Sequence, residues 1–177
     1  MSQDKVKLGV IGLGGRGRYF ARAYDQHPDV ELVAVADPNP LALDKVRGLY
    51  QDRIDYYTDL DEFLSREDMT SVVVASPDFA HRDNAVQCFE HGKNVLLEKP
   101  IAQSVEDSDD IIRAWNEAKT VLCGTKAGAD MLDGLRINGV KHNRQYVLKP
   151  DLGARGVDFF SGGDMKPEVM EQTVFAD

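Results

Sequence analysis

Short apolar runs alternate with amphipathic stretches through the first 124 residues. The apolar runs "KVKLGVI" (5–11), "VELVAVA" (30–36), "IDYY" (54–57), "SVVVAS" (71–76), "NVLLE" (94–98) and "TVLCG" (120–124) predict six strands, several of them rich in β-branched residues. The run at 71–76 is continuously apolar at its centre, as a strand covered on both faces should be. The intervening stretches carry helical spacing. "GRGRYFARAYDQ" follows the first strand, and "PLALDKVRGLY" sets Leu41, Val46, Leu49 and Tyr50 roughly on one side. "TDLDEFLSRE" is a short helix opened by Thr58 or Asp59, and "HRDNAVQCFEHG" is closed by Gly92. "SVEDSDDIIRAWNEAK" opens on a capping box at Ser104 and Asp107, with Ile111, Ile112, Trp115 and Ala118 recurring at helical intervals. Strands alternating with helices predict an α/β fold with a parallel, doubly wound sheet of the Rossmann type.

After Gly124 the pattern changes and glycine becomes frequent. Asn138-Gly139 is a hairpin-turn dipeptide, "RQYVL" reads as a strand, and "KPEVMEQTVFA" as a helix with Pro167 in its first turn. Two units are expected: a nucleotide-binding domain over 1–124 and a short irregular appendage over 125–177. The formal net charge of -9 argues against nucleic acid, which rewards clustered Lys and Arg, and against an anionic membrane surface. Two cysteines without CxxC spacing, no zinc-like ligand set, no signal peptide and no bilayer-length apolar run lead to the expectation of a reduced, cytoplasmic protein without a metal.

Candidate chemistry gathers at the strand ends. "GVIGLGGRG" supplies Gly12-x-Gly14-x-x-Gly17 between the first strand and its helix, with Leu13, Gly15 and Arg16 as the intervening residues. Gly12 allows the tight turn, Gly14 lets the backbone approach a pyrophosphate, and Gly17 lets helix and strand pack closely. Asp37 ends the second strand about twenty residues further on, where a carboxylate accepts from ribose hydroxyls and repels a 2′-phosphate. NAD is therefore expected, with NADP the weaker ligand, a preference that the nearby Arg16 and Arg18 can soften; an acidic cap on the loop "DPNP" is the alternative reading of Asp37. Ser76, Pro77, Asp78 and His81 follow the fourth strand and face the crevice at the switch in strand order. His81 reads equally well as a residue that only starts a helix. His27 and His91 lie near helix ends and read as structural. Glu98 and Lys99 close the fifth strand at the same edge. An ammonium there can orient a substrate hydroxyl and assist its proton loss, with Glu98 holding Lys99 in place; a surface ion pair is the equal alternative.

"GVIGLGGRGR", "ELVAVADPNP", "SVVVASPDFAH" and "GKNVLLEKPIAQS", in this order, resemble the N-terminal domain of the glucose–fructose oxidoreductase and inositol dehydrogenase family over about residues 5–124. The resemblance implies NAD or NADP binding and redox chemistry on sugars, cyclitols or related polyols, with Lys99 near the nicotinamide and taking part in catalysis. Ser76, Asp78 and His81 match the family's loop after the fourth strand, with Asp78 where the family often has asparagine. A few members use NAD transiently to cleave glycosidic bonds. A full member continues into a larger, mostly antiparallel α/β domain holding most of the substrate pocket, a second acid–base residue and the usual oligomer interface. Residues 125–177 lack that domain's glycine-rich segment with its aspartate and histidine; "SGGDM" is a faint echo, with His142 upstream of it. The chain thus reads as a truncated or internally deleted member, able to associate with itself, that binds NAD and turns over polyols poorly. The alternative is an NAD-binding module without turnover.

Overall fold

The computed structural model describes residues 5–125 and 147–149. Strands β1 (Val6–Ile11), β2 (Val30–Ala36), β3 (Asp55–Tyr57), β4 (Ser71–Val74), β5 (Asn94–Leu97), β6 (Leu122–Thr125) and β7 (Val147–Lys149) form one sheet in the order β3-β2-β1-β4-β5-β6-β7. All six neighbouring pairs are parallel. The helices are α1 (Gly15–Asp25), α2 (Pro40–Tyr50), α3 (Leu60–Leu64), α4 (His81–Glu90) and α5 (Val105–Ala118). The order runs outward from β1 to β3 on one side and from β4 to β7 on the other. The switch between β1 and β4 is where such sheets open a crevice at the carboxyl ends of their strands.

Strand pleating divides the core between the two faces. Val72, Val74, Val95 and Leu97 pack with Phe63, Phe89, Ile111, Ile112 and Trp115 on one side. Val73 and Leu96 pack with Phe20, Tyr24, Leu43 and Val46 on the other. The Trp115 indole is fully buried and donates from Nε1 to the Thr120 carbonyl at 2.9 Å, tying the end of α5 to the start of β6. Caps follow the expected chemistry. Asp59, not Thr58, opens α3 by accepting from the Glu62 amide at 2.9 Å. Ser104 Oγ accepts from the Asp107 amide at 3.0 Å. Gly92 adopts φ +68° after α4, the left-handed value that favours glycine.

One expectation fails on α2. Leu43, Val46 and Tyr50 make its buried stripe, whereas Leu41 and Leu49 are 66% and 67% exposed. At about 100° per residue Leu41 lies across the helix from that stripe and Leu49 at its flank, so only Val46 and Tyr50 of the expected set face the sheet. His91 sits as expected, its Nδ1 3.0 Å from the Gln87 carbonyl, while the His27 ring instead accepts from the Asp29 amide at 3.2 Å.

Lys93 of the "GKNV" stretch is buried, and its Nζ donates to the carbonyls of Arg66 at 2.6 Å and Met69 at 2.9 Å. Burial pushes its pKa down. It closes the loop before β4, at the opposite end of the sheet from the crevice. In that loop the Arg66 guanidinium holds the Asp68 carboxyl down to about 2. The expected Asn138-Gly139 turn and the helix after Pro167 lie outside the described residues, and of "RQYVL" the structure describes only its end, in β7. Among the described residues, no helix is long and apolar enough to cross a membrane.

Candidate cofactor site

The glycine turn joins β1 to α1. Gly12 has φ +84°, its amide donates to the Ala36 carbonyl at 2.8 Å, and a Cβ there would lie 2.7 Å from the backbone of Ser76. A Cβ on Gly17 would overlap the Gly12 carbonyl. These two glycines are therefore demanded by the protein's own backbone. Gly14 and Gly15 differ: a Cβ on either meets no atom within 4 Å. Gly14 is the N-cap of α1 with φ -61° and no side-chain cap, and the first turn of α1 holds no acidic residue. The positive end of α1 and its unpaired amides are left for an anionic ligand.

Asp37 is fixed by backbone. Its Oδ2 accepts from the Leu13 amide at 2.7 Å and its Oδ1 from the Asn39 amide at 2.9 Å. Each carboxylate oxygen retains acceptor capacity for a hydroxyl. The bond to Leu13 locks the end of β2 to the glycine turn, so the carboxylate and the bare helix end are held in one frame.

Both face a cavity of about 770 Å³, within the usual size range of a cofactor pocket. Of the residues expected from the sequence, Gly12, Leu13, Gly14, Gly15, Arg16, Asp37, Ser76 and Pro77 line it. Gly17, Asp78, His81, Glu98 and Lys99 do not. Sequence reasoning missed Pro38, Asn39, Thr58, Phe79 and Asn84, which also line it. Their one available signal was position, in the segments that follow β2, β3 and β4. Phe79 stands out as a large apolar side chain left 73% exposed at the cavity.

His81 is buried, with Nε2 2.9 Å from the Ser76 carbonyl and Nδ1 2.6 Å from the Pro100 carbonyl. It clips the loop after β4 to the loop after β5. One turn along α4, Asn84 donates to Ser76 Oγ at 2.8 Å and steadies the same loop. Glu98 is also buried and pairs with Arg16 of the glycine turn rather than with the ammonium of Lys99. Its other oxygen accepts from the Lys99 backbone amide at 2.6 Å. The Lys99 side chain is exposed at the end of this strand.

A parallel sheet, a glycine turn on an uncapped helix and a fixed acid after β2 define a dinucleotide-binding Rossmann domain. Residues 6–125 match the family described as "Oxidoreductase family, NAD-binding Rossmann fold", and the chain belongs to that family. The 2,7-anhydro-N-acetylneuraminate hydratase of Mediterraneibacter gnavus is 34% identical over 63% of this chain and 29% of its own length. The glucose-6-phosphate 3-dehydrogenase of Bacillus subtilis is 33% identical over 58% of this chain and 28% of its own length. Among solved structures, the WlbA dehydrogenase from Bordetella pertussis, in complex with NADH and UDP-GlcNAcA, superposes with a TM-score of 0.65 at 28% identity, covering 71% of this chain and 36% of that one. The chain thus spans about a third of the length of the relatives it matches.

Proposed function

We propose that this chain binds NAD across the glycine turn and Asp37, and presents Lys99 for hydride transfer between a secondary alcohol of a sugar or cyclitol and the nicotinamide. The observation that carries the reading is the single frame in which the bare α1 terminus and the doubly anchored Asp37 face one cavity. The α1 amides take the pyrophosphate and Asp37 accepts from the adenosine ribose. Bound NAD supplies the hydride acceptor. Lys99 orients the substrate hydroxyl and assists loss of its proton, while the His81 clip and the hydrogen bond that the Lys99 amide donates to Glu98 Oε2 hold the turn that carries it.

A second reading is favoured by the hydratase relative: bound NAD serves transiently, with no net oxidation. On either reading the substrate must be walled in against the nicotinamide, and such positioning supplies roughly 7–11 kcal/mol of barrier lowering. The described residues contribute the nucleotide site and Lys99 to that requirement. Absorbance of NADH with a panel of sugars and cyclitols, alongside a Lys99→Met control, is the test. NADH formation above background with at least one of them, lost in the control, is the expected result, and background rates with all of them would favour the second reading. Robust turnover that vanishes in the control would mean that the whole chain completes a working pocket. Robust turnover that survives it would remove Lys99 from the chemistry.

A further inference from the structure

Arg16 and Glu98 are 82 residues apart in sequence and meet where the glycine turn approaches the end of β5. An ion pair at the surface contributes little. This one differs, because the Glu98 side chain is only 5% exposed while that of Arg16 is 62% exposed. Arg16 Nε donates to Glu98 Oε1 at 2.6 Å and its Nη2 reaches the same oxygen. The guanidinium carbon lies 5.4 Å from the centre of the Phe20 ring, which orients the arginine on α1. Glu98 Oε2 is spent on the Lys99 amide at 2.6 Å. A buried carboxylate therefore joins a cation that lines the cofactor cavity to the backbone of the lysine beyond it. Removing Arg16 would leave that carboxylate buried without its counter-charge.

We propose that Arg16 and Glu98 are a positioning pair, through which a pyrophosphate bound at the glycine turn fixes the placement of Lys99. The proposal rests on NAD occupying that turn. The anion draws the guanidinium and holds it from the side opposite Glu98, the carboxylate follows the guanidinium, and the Lys99 amide follows the carboxylate. Coupling of this kind is reciprocal, so loosening Lys99 weakens NAD binding by the factor by which NAD orders Lys99.

The test is acetylation footprinting of Lys99 by mass spectrometry, with and without saturating NAD, on the unmodified chain and on Arg16→Gln, Glu98→Gln and Arg16→Lys. In the unmodified chain NAD should slow Lys99 labelling by about tenfold, within the usual range of such couplings. At saturating NAD, Arg16→Gln and Glu98→Gln should keep less than about twofold protection, with NAD affinity down about fivefold to twentyfold, and Arg16→Lys should recover part of both. Because Arg16→Gln leaves the Glu98 carboxylate without its counter-charge whereas Glu98→Gln removes the buried charge itself, Glu98→Gln carries the test, by the same readout, if Arg16→Gln does not fold. Full protection of Lys99 in NAD-saturated Arg16→Gln overturns the pair while leaving the NAD site intact. NAD binding without protection of Lys99 in the unmodified chain likewise overturns the pair, whereas failure of the unmodified chain to bind NAD defeats the reading of the site on which the pair depends.

Discussion

Replacing Gly14 with valine is expected to weaken NAD binding by about 100-fold or more, roughly 2.7 kcal/mol, while shifting Tm by no more than about 4 °C. The two readouts separate because of what surrounds the position. A side chain at Gly14 meets no protein atom within 4 Å, and the backbone φ of -61° is open to any residue. Nothing in the apo fold resists the substitution beyond a less favourable N-cap. The space the valine fills is the mouth of α1, where the pyrophosphate must approach the amides within hydrogen-bond distance. Calorimetric titration with NAD and a thermal melt, run on the same preparation, check both halves. Unchanged NAD affinity would move the ligand away from the turn.

Gly17→Ala should behave in the opposite way. A single methyl there overlaps the Gly12 carbonyl, which is backbone and cannot swing aside as a side chain would. Either α1 lifts from β1 or the turn itself reshapes, and overpacking of this kind costs about 3 kcal/mol, a fall in Tm of roughly 6–12 °C for a chain of this size. Any loss of NAD affinity would then follow from the displaced turn. A melt of Gly17→Ala beside Gly14→Ala makes the comparison with the same added group. Equal Tm values would contradict the close helix–strand packing assigned to Gly17.

The glycine turn was legible because its three roles are local: a positive φ at Gly12, an open approach at Gly14 and a helix–strand contact at Gly17 are all encoded within one short stretch. The strand centres were legible for a similar reason, since an unbroken run such as Val72-Val73-Val74 admits few other placements in an α/β chain. Pairings between distant segments were not legible. Glu98 was read beside Lys99 because the two are adjacent, whereas its charge partner, Arg16, is brought to it only by a sheet order that sets β1 and β5 on either side of β4. The double contact of His81 depends in the same way on the loops after β4 and β5 lying side by side. Leu41 and Leu49 were misassigned because apolar residues on an exposed helix face carry the same label as those in the stripe; only the buried set at 43, 46 and 50 reveals which side meets the sheet. Phe79 and Thr58 left no motif at all, since a cavity wall assembled from loop ends has no period.

An NAD site organised by the α1 terminus and Asp37 makes a definite demand on binding. Its most direct test is calorimetric titration of the unmodified chain with NAD and, separately, with NADP. Saturable binding of one NAD per chain is expected. NADP should bind more weakly by about tenfold or more, about 1.4 kcal/mol, because the 2′-phosphate would meet a carboxylate that two backbone amides hold in place. Absence of saturable NAD binding, or NADP binding as tightly as NAD, would contradict it.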